Sequence, residues 1–88
     1  MKNKYKKEIK VEPQIREQGD REILKIVADV LPFYEDDIMV KKKPEEIVII
    51  CKNENDIQGE KIRTPPLVDD MPHADYNNGI LTVTSELQ

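Results

Sequence analysis

The sequence predicts an all-β fold, a two-layer sandwich of about seven short antiparallel strands. Short runs of β-branched and aliphatic residues alternate with turn residues along the chain, and a helical period is almost absent. The clearest single signal is Ala-Asp-Tyr-Asn-Asn-Gly-Ile-Leu-Thr-Val-Thr at 74–84, which reads as strand, tight turn and strand. Asn78 and Gly79 both tolerate φ > 0, as the primed turn of a two-residue hairpin requires.

The strand after this turn has two distinct faces. Side chains alternate along a strand, so Leu81 and Val83 point to one face, while Ile80, Thr82 and Thr84 point to the other. Val, Ile and Thr suit a pleated, half-buried surface. We therefore expect Leu81 and Val83 to pack into the core.

The first strand is predicted to lie at a sheet edge. Apolar residues alternate there, at Ile9, Val11 and Ile15, but Pro13 interrupts them. Proline has no backbone N–H to donate to a ladder, so it is tolerated mainly at edges. A turn is expected at Gln-Gly-Asp, residues 18–20.

Within the segment 21–31, residues 23–30 are too continuously apolar for a strand with one wet face, so we expect a central strand covered on both sides. A short buried helix is the alternative, but the β-branched residues of this segment argue against a helix. Leu31-Pro32 ends this element, and the connection that follows is acidic at 35–37.

Three strands are predicted in the middle of the chain. Residues 38–43 alternate, with Ile38 and Val40 on one face. After a turn at Pro44, residues 47–51 form a dense β-branched strand. Residues 53–59 then read as a polar loop, and a short strand at 60–64 ends at Pro65-Pro66.

Length and composition indicate one small domain. The chain has 88 residues, of which 38% are hydrophobic and 36% charged, and a formal net charge of −4. A small domain buries a modest share of its surface, so its core has little margin. We divide the chain into a basic, solvated tail at 1–7 and a domain at 8–88. The tail could instead be a basic arm for nucleic acid or anionic lipid, but only Tyr5 interleaves with its lysines, and the negative net charge makes nucleic acid unlikely.

No residue pattern indicates an enzyme, a cofactor or a metal site. The acids occur in adjacent groups, whose carboxylates point in different directions on a strand or turn rather than converging. His73 is the only histidine and has no ligand spacing around it, and Cys51 lacks the context of a nucleophile. No apolar run approaches the ~18 residues of a membrane span. We expect a cytoplasmic protein that functions by binding, with Cys51 reduced and buried.

Several landmarks occur in a fixed order. They are Val-Ala-Asp-Val-Leu-Pro at 27–32, acids followed by Ile-Met-Val at 35–40, Ile-Val-Ile at 47–49, Arg-Thr-Pro-Pro-Leu-Val-Asp at 63–69, and Ala-x-x-x-x-Gly-Ile-Leu-x-Val at 74–83. This order resembles the small heat-shock protein (Hsp20, α-crystallin domain) family over about residues 21–84.

The resemblance implies an immunoglobulin-like β-sandwich and ATP-independent holdase activity toward unfolded or partly folded client proteins. It also implies a client groove with Ile38 and Val40 on one wall and Ala74 and Tyr76 on the other. The alternative is that Ile38 and Val40 belong to the ordinary core of the sandwich and line no groove. The family's structural signature would fall on Arg63, Pro65, Gly79, Leu81 and Val83, although Arg63 also reads as an exposed charge that aids solubility.

The chain departs from the family pattern in three places. The connection at 53–59 is too short for the strand that many members exchange between subunits, the N-terminal arm is reduced, and a C-terminal Ile-x-Ile is absent. We therefore expect a compact form, a monomer or weak homodimer, with other small heat-shock or co-chaperone subunits as further partners. The alternative function is an accessory module similar to the p23/CS sandwiches, which binds one folded partner.

Overall fold

Seven strands account for most of the described residues. The computed structural model describes residues 10–88, so the predicted tail at 1–7 lies outside the described residues. The strands are β1 (Lys10–Gln18), β2 (Arg21–Asp29), β3 (Ile38–Lys43), β4 (Glu46–Lys52), β5 (Ile57–Arg63), β6 (His73–Asn77) and β7 (Ile80–Glu86). A single turn of 3₁₀ helix, Glu35–Asp37, precedes β3.

The strands form two antiparallel sheets. The first has the order β1-β2-β7-β6 and the second has the order β3-β4-β5. The predicted all-β sandwich of seven antiparallel strands is therefore confirmed. The edge position of β1 is also confirmed, and Pro13 lies within it opposite Ile26 of β2.

The core lies between the sheets and comes mainly from the central strands. Every second residue of β4 and β7 is buried there, as is every second residue of β2 from Leu24 onward, and the loops add Phe33 and Leu67. Leu81 and Val83 belong to this core, as their spacing predicted. Leu67 also forms an isolated bridge with Leu87, which joins the irregular segment before β6 to the end of the chain.

The β6–β7 hairpin has the predicted turn. Asn78 has φ 51° and Gly79 has φ 85°, and the two strands begin pairing at Asn77 and Ile80. Gly79 also lacks room for a side chain, because an ideal Cβ there would clash with the Leu31 side chain. The Gly79 carbonyl accepts a 2.9 Å hydrogen bond from the Val30 amide, which fixes the turn against the end of β2.

Two predictions about strands are wrong. β2 is central, but only its inner face is buried, and Ile23, Lys25 and Val27 are half-exposed because no other element among residues 10–88 covers the outer face of their sheet. The β4–β5 loop is shorter than predicted. β5 begins at Ile57, so the loop contains only residues 53–56, where Asn53 Oδ1 accepts 2.8 Å hydrogen bonds from two following backbone amides.

Candidate functional site

A groove runs between β6, an edge strand of the first sheet, and β3, an edge strand of the second. It encloses about 390 Å³. Its lining residues are Glu35, Ile38, Val40, Met71, Pro72, Ala74, Tyr76 and Leu81. We call this cavity the β3–β6 groove.

Strand alternation places the groove residues. On β3, Ile38 and Val40 face the interior and are half-buried. On β6, Ala74 and Tyr76 pair with Val83 and Leu81, whose side chains point inward, so both also face the interior. The structure thus brings together all four residues that were expected to form the walls. Ile38 and Val40 also pack against the core, so the two interpretations of these residues overlap.

Tyr76 ties the two sides of the groove together. Its hydroxyl donates a 2.9 Å hydrogen bond to the backbone carbonyl of Phe33, in the segment that leads into β3. Phe33 is itself buried in the core. The tyrosine ring is therefore anchored at both ends, with its apolar body in the groove and its polar tip satisfied.

Four lining residues were missed by sequence reasoning. Leu81 was expected in the core, and it is buried beneath the groove. Met71 and Pro72 lie in the irregular segment before β6, which has no period to assign a face. Glu35 is the one charged side chain in the lining, and most of the other lining side chains are apolar, although backbone and other polar atoms also reach the cavity surface. The exposed, unbranched Met71 is the kind of side chain that adapts to varied apolar partners.

Both walls of the groove are sheet edges. Within the described part of the chain, β3 pairs only with β4, and β6 pairs only with β7. Backbone N–H and C=O groups along such edges are available to an added strand. The arrangement can therefore accept an extended segment through backbone hydrogen bonds while its apolar side chains enter the cavity.

The structure distributes the five signature residues between two places. Gly79, Leu81 and Val83 build the β6–β7 hairpin and its core contacts. Arg63 is exposed at the end of β5, opposite Glu46 in register, and exposed Pro65 follows it. Neither Arg63 nor Pro65 lines the groove.

Cys51 and His73 do not form a reactive centre. Cys51 is fully buried, and desolvation, together with the nearby Asp37 carboxylate, raises the pKa of its thiol from 9.0 to about 11. The thiol is therefore protonated at neutral pH, and the nucleophilic thiolate is not available. His73 is exposed at the start of β6. Across residues 10–88 no three His, Cys, Asp or Glu residues are grouped so that they could hold a metal ion.

The described residues also contain no helix of sufficient length and hydrophobicity to cross a membrane.

Solved structures of small heat-shock proteins share this fold. The Del-C4 mutant of hsp14.1 from Sulfolobus solfataricus P2 superimposes with a TM-score of 0.71 at 25% identity, over 89% of this chain and 76% of that one. The A102D mutant of hsp14.1 gives 0.70 at 25% identity, over 89% and 72%. Heat shock protein 16.0 from Schizosaccharomyces pombe gives 0.69 at 16% identity, over 98% and 72%.

No family model matches the sequence, and no curated protein is significantly similar to it. The fold nevertheless identifies the chain as an α-crystallin-like (Hsp20-like) domain, as its landmarks indicated. These three structural neighbours are small heat-shock proteins, and the chain covers about three-quarters of their length.

Proposed function

We propose that this domain is an ATP-independent holdase, which binds partly unfolded proteins in the β3–β6 groove and at the neighbouring strand edges. The observation that carries the proposal is a cavity between two sheet edges, lined mainly by apolar side chains, in a fold shared with small heat-shock proteins. Its volume of about 390 Å³ is within the range of ~300–1,000 Å³ typical of ligand pockets.

The physical basis of such binding is the apolar surface that an unfolding protein exposes. Burying that surface against Ile38, Val40 and Tyr76 contributes about 25 cal/mol per Å². Backbone hydrogen bonds to a sheet edge do not depend on client sequence, so many clients can bind. The apolar cavity then favours segments with hydrophobic side chains. Neither step requires ATP.

The first test is suppression of aggregation. A heat-labile enzyme is warmed with and without the purified protein, in the absence of ATP, and light scattering is recorded. We expect scattering to fall as the protein is added in increasing excess. Undiminished scattering at large excess would contradict the holdase proposal.

A pair of variants localises the activity to the groove. Ala74→Trp fills the cavity, and because Ala74 is exposed, the change leaves the core intact. Asp75→Trp is the matched control, since Asp75 is also exposed on β6 but faces the outer side of its sheet. We expect Ala74→Trp to lose most of the suppression and Asp75→Trp to retain it. Equal activity in the two variants would place client binding elsewhere.

A second candidate is a p23/CS-like module that binds one specific folded partner. The observation that favours it is the β4–β5 loop, which has only four residues at 53–56 and therefore holds no strand that subunits could exchange. A pull-down distinguishes the candidates. The holdase captures many unfolded proteins, and capture rises on heating. The accessory module captures one folded protein at all temperatures.

The same short loop supports a monomer or weak homodimer in solution. Light scattering coupled to size exclusion should give a mass near 10.3 kDa, or a dimer that dissociates on dilution. A stable assembly of many subunits would contradict this proposal.

We also propose that residues 1–7 are a tail on a domain that begins at residue 8. A reducing cytoplasm fits a chain whose single cysteine is buried.

A further inference from the structure

The outer face of the β3-β4-β5 sheet concentrates positive charge. Register and alternation place ten side-chain positions there in addition to Gly59. These positions are the cations Lys41, Lys43, Lys52, Lys61 and Arg63, the acid Glu46, and the apolar residues Met39, Val48, Ile50 and Ile57. We call this surface the basic face.

The charge on the basic face is opposite to that of the molecule. The whole chain has 14 Lys and Arg, 18 Asp and Glu, and a net charge of −4. The basic face carries five of those cations and one of those acids. The face spans three strands and four rows of residues, an area of about 10 Å by 20 Å. The Debye length at 0.1 M salt is about 10 Å, so salt only partly screens the positive charges from one another and from a partner.

The cations of the basic face are not neutralised within the described chain. All five are exposed, and none makes a hydrogen bond or ion pair with another described side chain. Glu46 lies between Lys43 and Arg63 in register, yet it forms no ion pair with either, and its Oε2 is buried without a hydrogen-bond partner. By contrast, the ion pair between Arg21 and Glu86 lies on the other sheet. The positive charge is therefore available to an external partner.

Apolar side chains accompany these cations. Met39 is 53% exposed and Ile57 is 58% exposed, on the two edge strands of the sheet. Val48 and Ile50 lie between them on β4 and are half-exposed. The basic face therefore combines flexible cationic side chains with an apolar surface at its centre and edges.

We propose that the basic face docks on the surface of an anionic lipid bilayer. Lysine stems let the ammonium groups reach lipid phosphates and carboxylates while their methylenes cover apolar surface. Each Lys or Arg near an anionic membrane is worth about 1 kcal/mol, and exposed apolar side chains enter the headgroup region. Met39 and Ile57 are placed to do so.

Two other classes of partner fit the basic face less well. Interfaces between proteins are enriched in aromatic residues and Arg and depleted in Lys, whereas this face has four Lys, one Arg and no aromatic residue. Single-stranded nucleic acid binds through aromatic side chains that stack on bases, and the face offers none. An anionic membrane needs only charge and apolar contact.

Docking there leaves the β3–β6 groove uncovered. The groove residues Ile38 and Val40 point to the inner face of β3, whereas Met39 and Lys41 point to the outer face. A membrane-bound molecule therefore presents its groove away from the lipid contact. This inference does not depend on the holdase proposal, because it concerns the opposite face of the sheet.

The test is cosedimentation of the full chain with lipid vesicles. Vesicles of phosphatidylcholine alone are compared with vesicles that also contain phosphatidylserine, at low and high salt. We expect binding only to the anionic vesicles and its loss near 1 M salt, where the Debye length is about 3 Å. No binding at low salt would overturn the proposal.

Matched charge reversals localise the contact. Lys41→Glu with Lys61→Glu alters the basic face, and Lys10→Glu with Arg16→Glu makes the same change of net charge on the other sheet. We expect the first pair to reduce partitioning at least about 30-fold, which corresponds to about 1 kcal/mol for each lysine. The control should reduce it far less. Circular dichroism confirms that both variants are folded, and equal losses would overturn the proposal.

Two further outcomes would also overturn it. In one, replacing Lys2, Lys4, Lys6 and Lys7 by Gln abolishes vesicle binding while the Lys41 and Lys61 variant still binds, which assigns the contact to the N-terminal segment. In the other, duplex DNA binds through Lys41 and Lys61 and anionic vesicles do not, which makes the face a nucleic-acid surface.

Discussion

The central strands and the edge strands of this sandwich have different environments. Leu24 on central strand β2 is 2% exposed, whereas Ile15, its cross-strand partner on edge strand β1, is 51% exposed. The same contrast separates buried Leu81 on β7 from half-buried Tyr76, its partner on β6. Central strands therefore supply the core, while edge strands keep apolar side chains and backbone groups accessible to partners.

This division matters because a small domain has little stability to spare. Native proteins are typically stable by about 5–15 kcal/mol, so the loss of one core side chain is a large fraction of the total. Changes at edge positions such as Ala74 can alter binding without unfolding the molecule.

Leu81→Ala should have the largest effect. Leu81 is 3% exposed, and removing a buried leucine side chain costs about 2–5 kcal/mol through lost burial and the cavity left behind. Ile15→Ala is the control on an edge strand and should cost less than about 1 kcal/mol. Urea denaturation measures both free energies of unfolding. Similar losses in the two variants would show that the centre and the edge contribute equally.

The free energy of unfolding should fall at high pH, because the pKa of the buried Cys51 thiol is raised. The folded-state pKa of about 11 lies above the ordinary 9.0, so the unfolded state releases the proton first. The contribution is fully present below pH 9 and is lost as the pH rises toward 11, by up to about 3 kcal/mol. Chemical denaturation across this range measures the slope. Cys51→Ala should show a shallower slope, and an identical slope would contradict the burial of this thiol.

Gly79→Ala should be less costly than the core change. The φ of 85° disfavours any other residue, and the added Cβ would meet the Leu31 side chain. Strain of this kind costs on the order of 1–3 kcal/mol. Gly19→Ala separates the two causes, because Gly19 has φ 63° but open space around it. Thermal denaturation should therefore show the larger decrease in melting temperature for Gly79→Ala.

Arg21→Ala should have the smallest effect. Arg21 Nη1 lies 3.2 Å from Glu86 Oε2, and both side chains are solvent-accessible. Surface ion pairs are typically worth about 0–1 kcal/mol. Urea denaturation should show a change of that size that shrinks as salt is added. A loss comparable to that of Leu81→Ala would show that this ion pair outweighs a core contact.

Much of the fold follows from local sequence, and the exceptions have physical causes. The Asn78-Gly79 turn and the alternation of β3 and β7 depend on local backbone preferences, so both could be predicted. The start of β5 could not, because Gln58-Gly59 reads as a turn. Its strand conformation comes from pairing with Cys51 and Ile50 across the β4–β5 hairpin, and a pattern of turn residues does not show that pairing.

The exposed face of β2 was hidden for a different reason. Ile23 and Val27 are apolar residues on a face that no second layer of the described structure covers, so the period-2 contrast between polar and apolar positions is weak. The walls of the β3–β6 groove came from family resemblance rather than from spacing. The basic face became visible only once the register of β3, β4 and β5 was known, because its cations lie on three separate strands.

Hydrogen exchange in the presence of a permanently unfolded client tests the central claim most directly. Backbone amides exchange more slowly where an added segment covers a sheet edge. We predict that protection rises in β3 (Ile38–Lys43) and β6 (His73–Asn77), with little change in the other edge strands. Protection confined to β1 or β5, or no change on saturating client, would contradict binding in the β3–β6 groove.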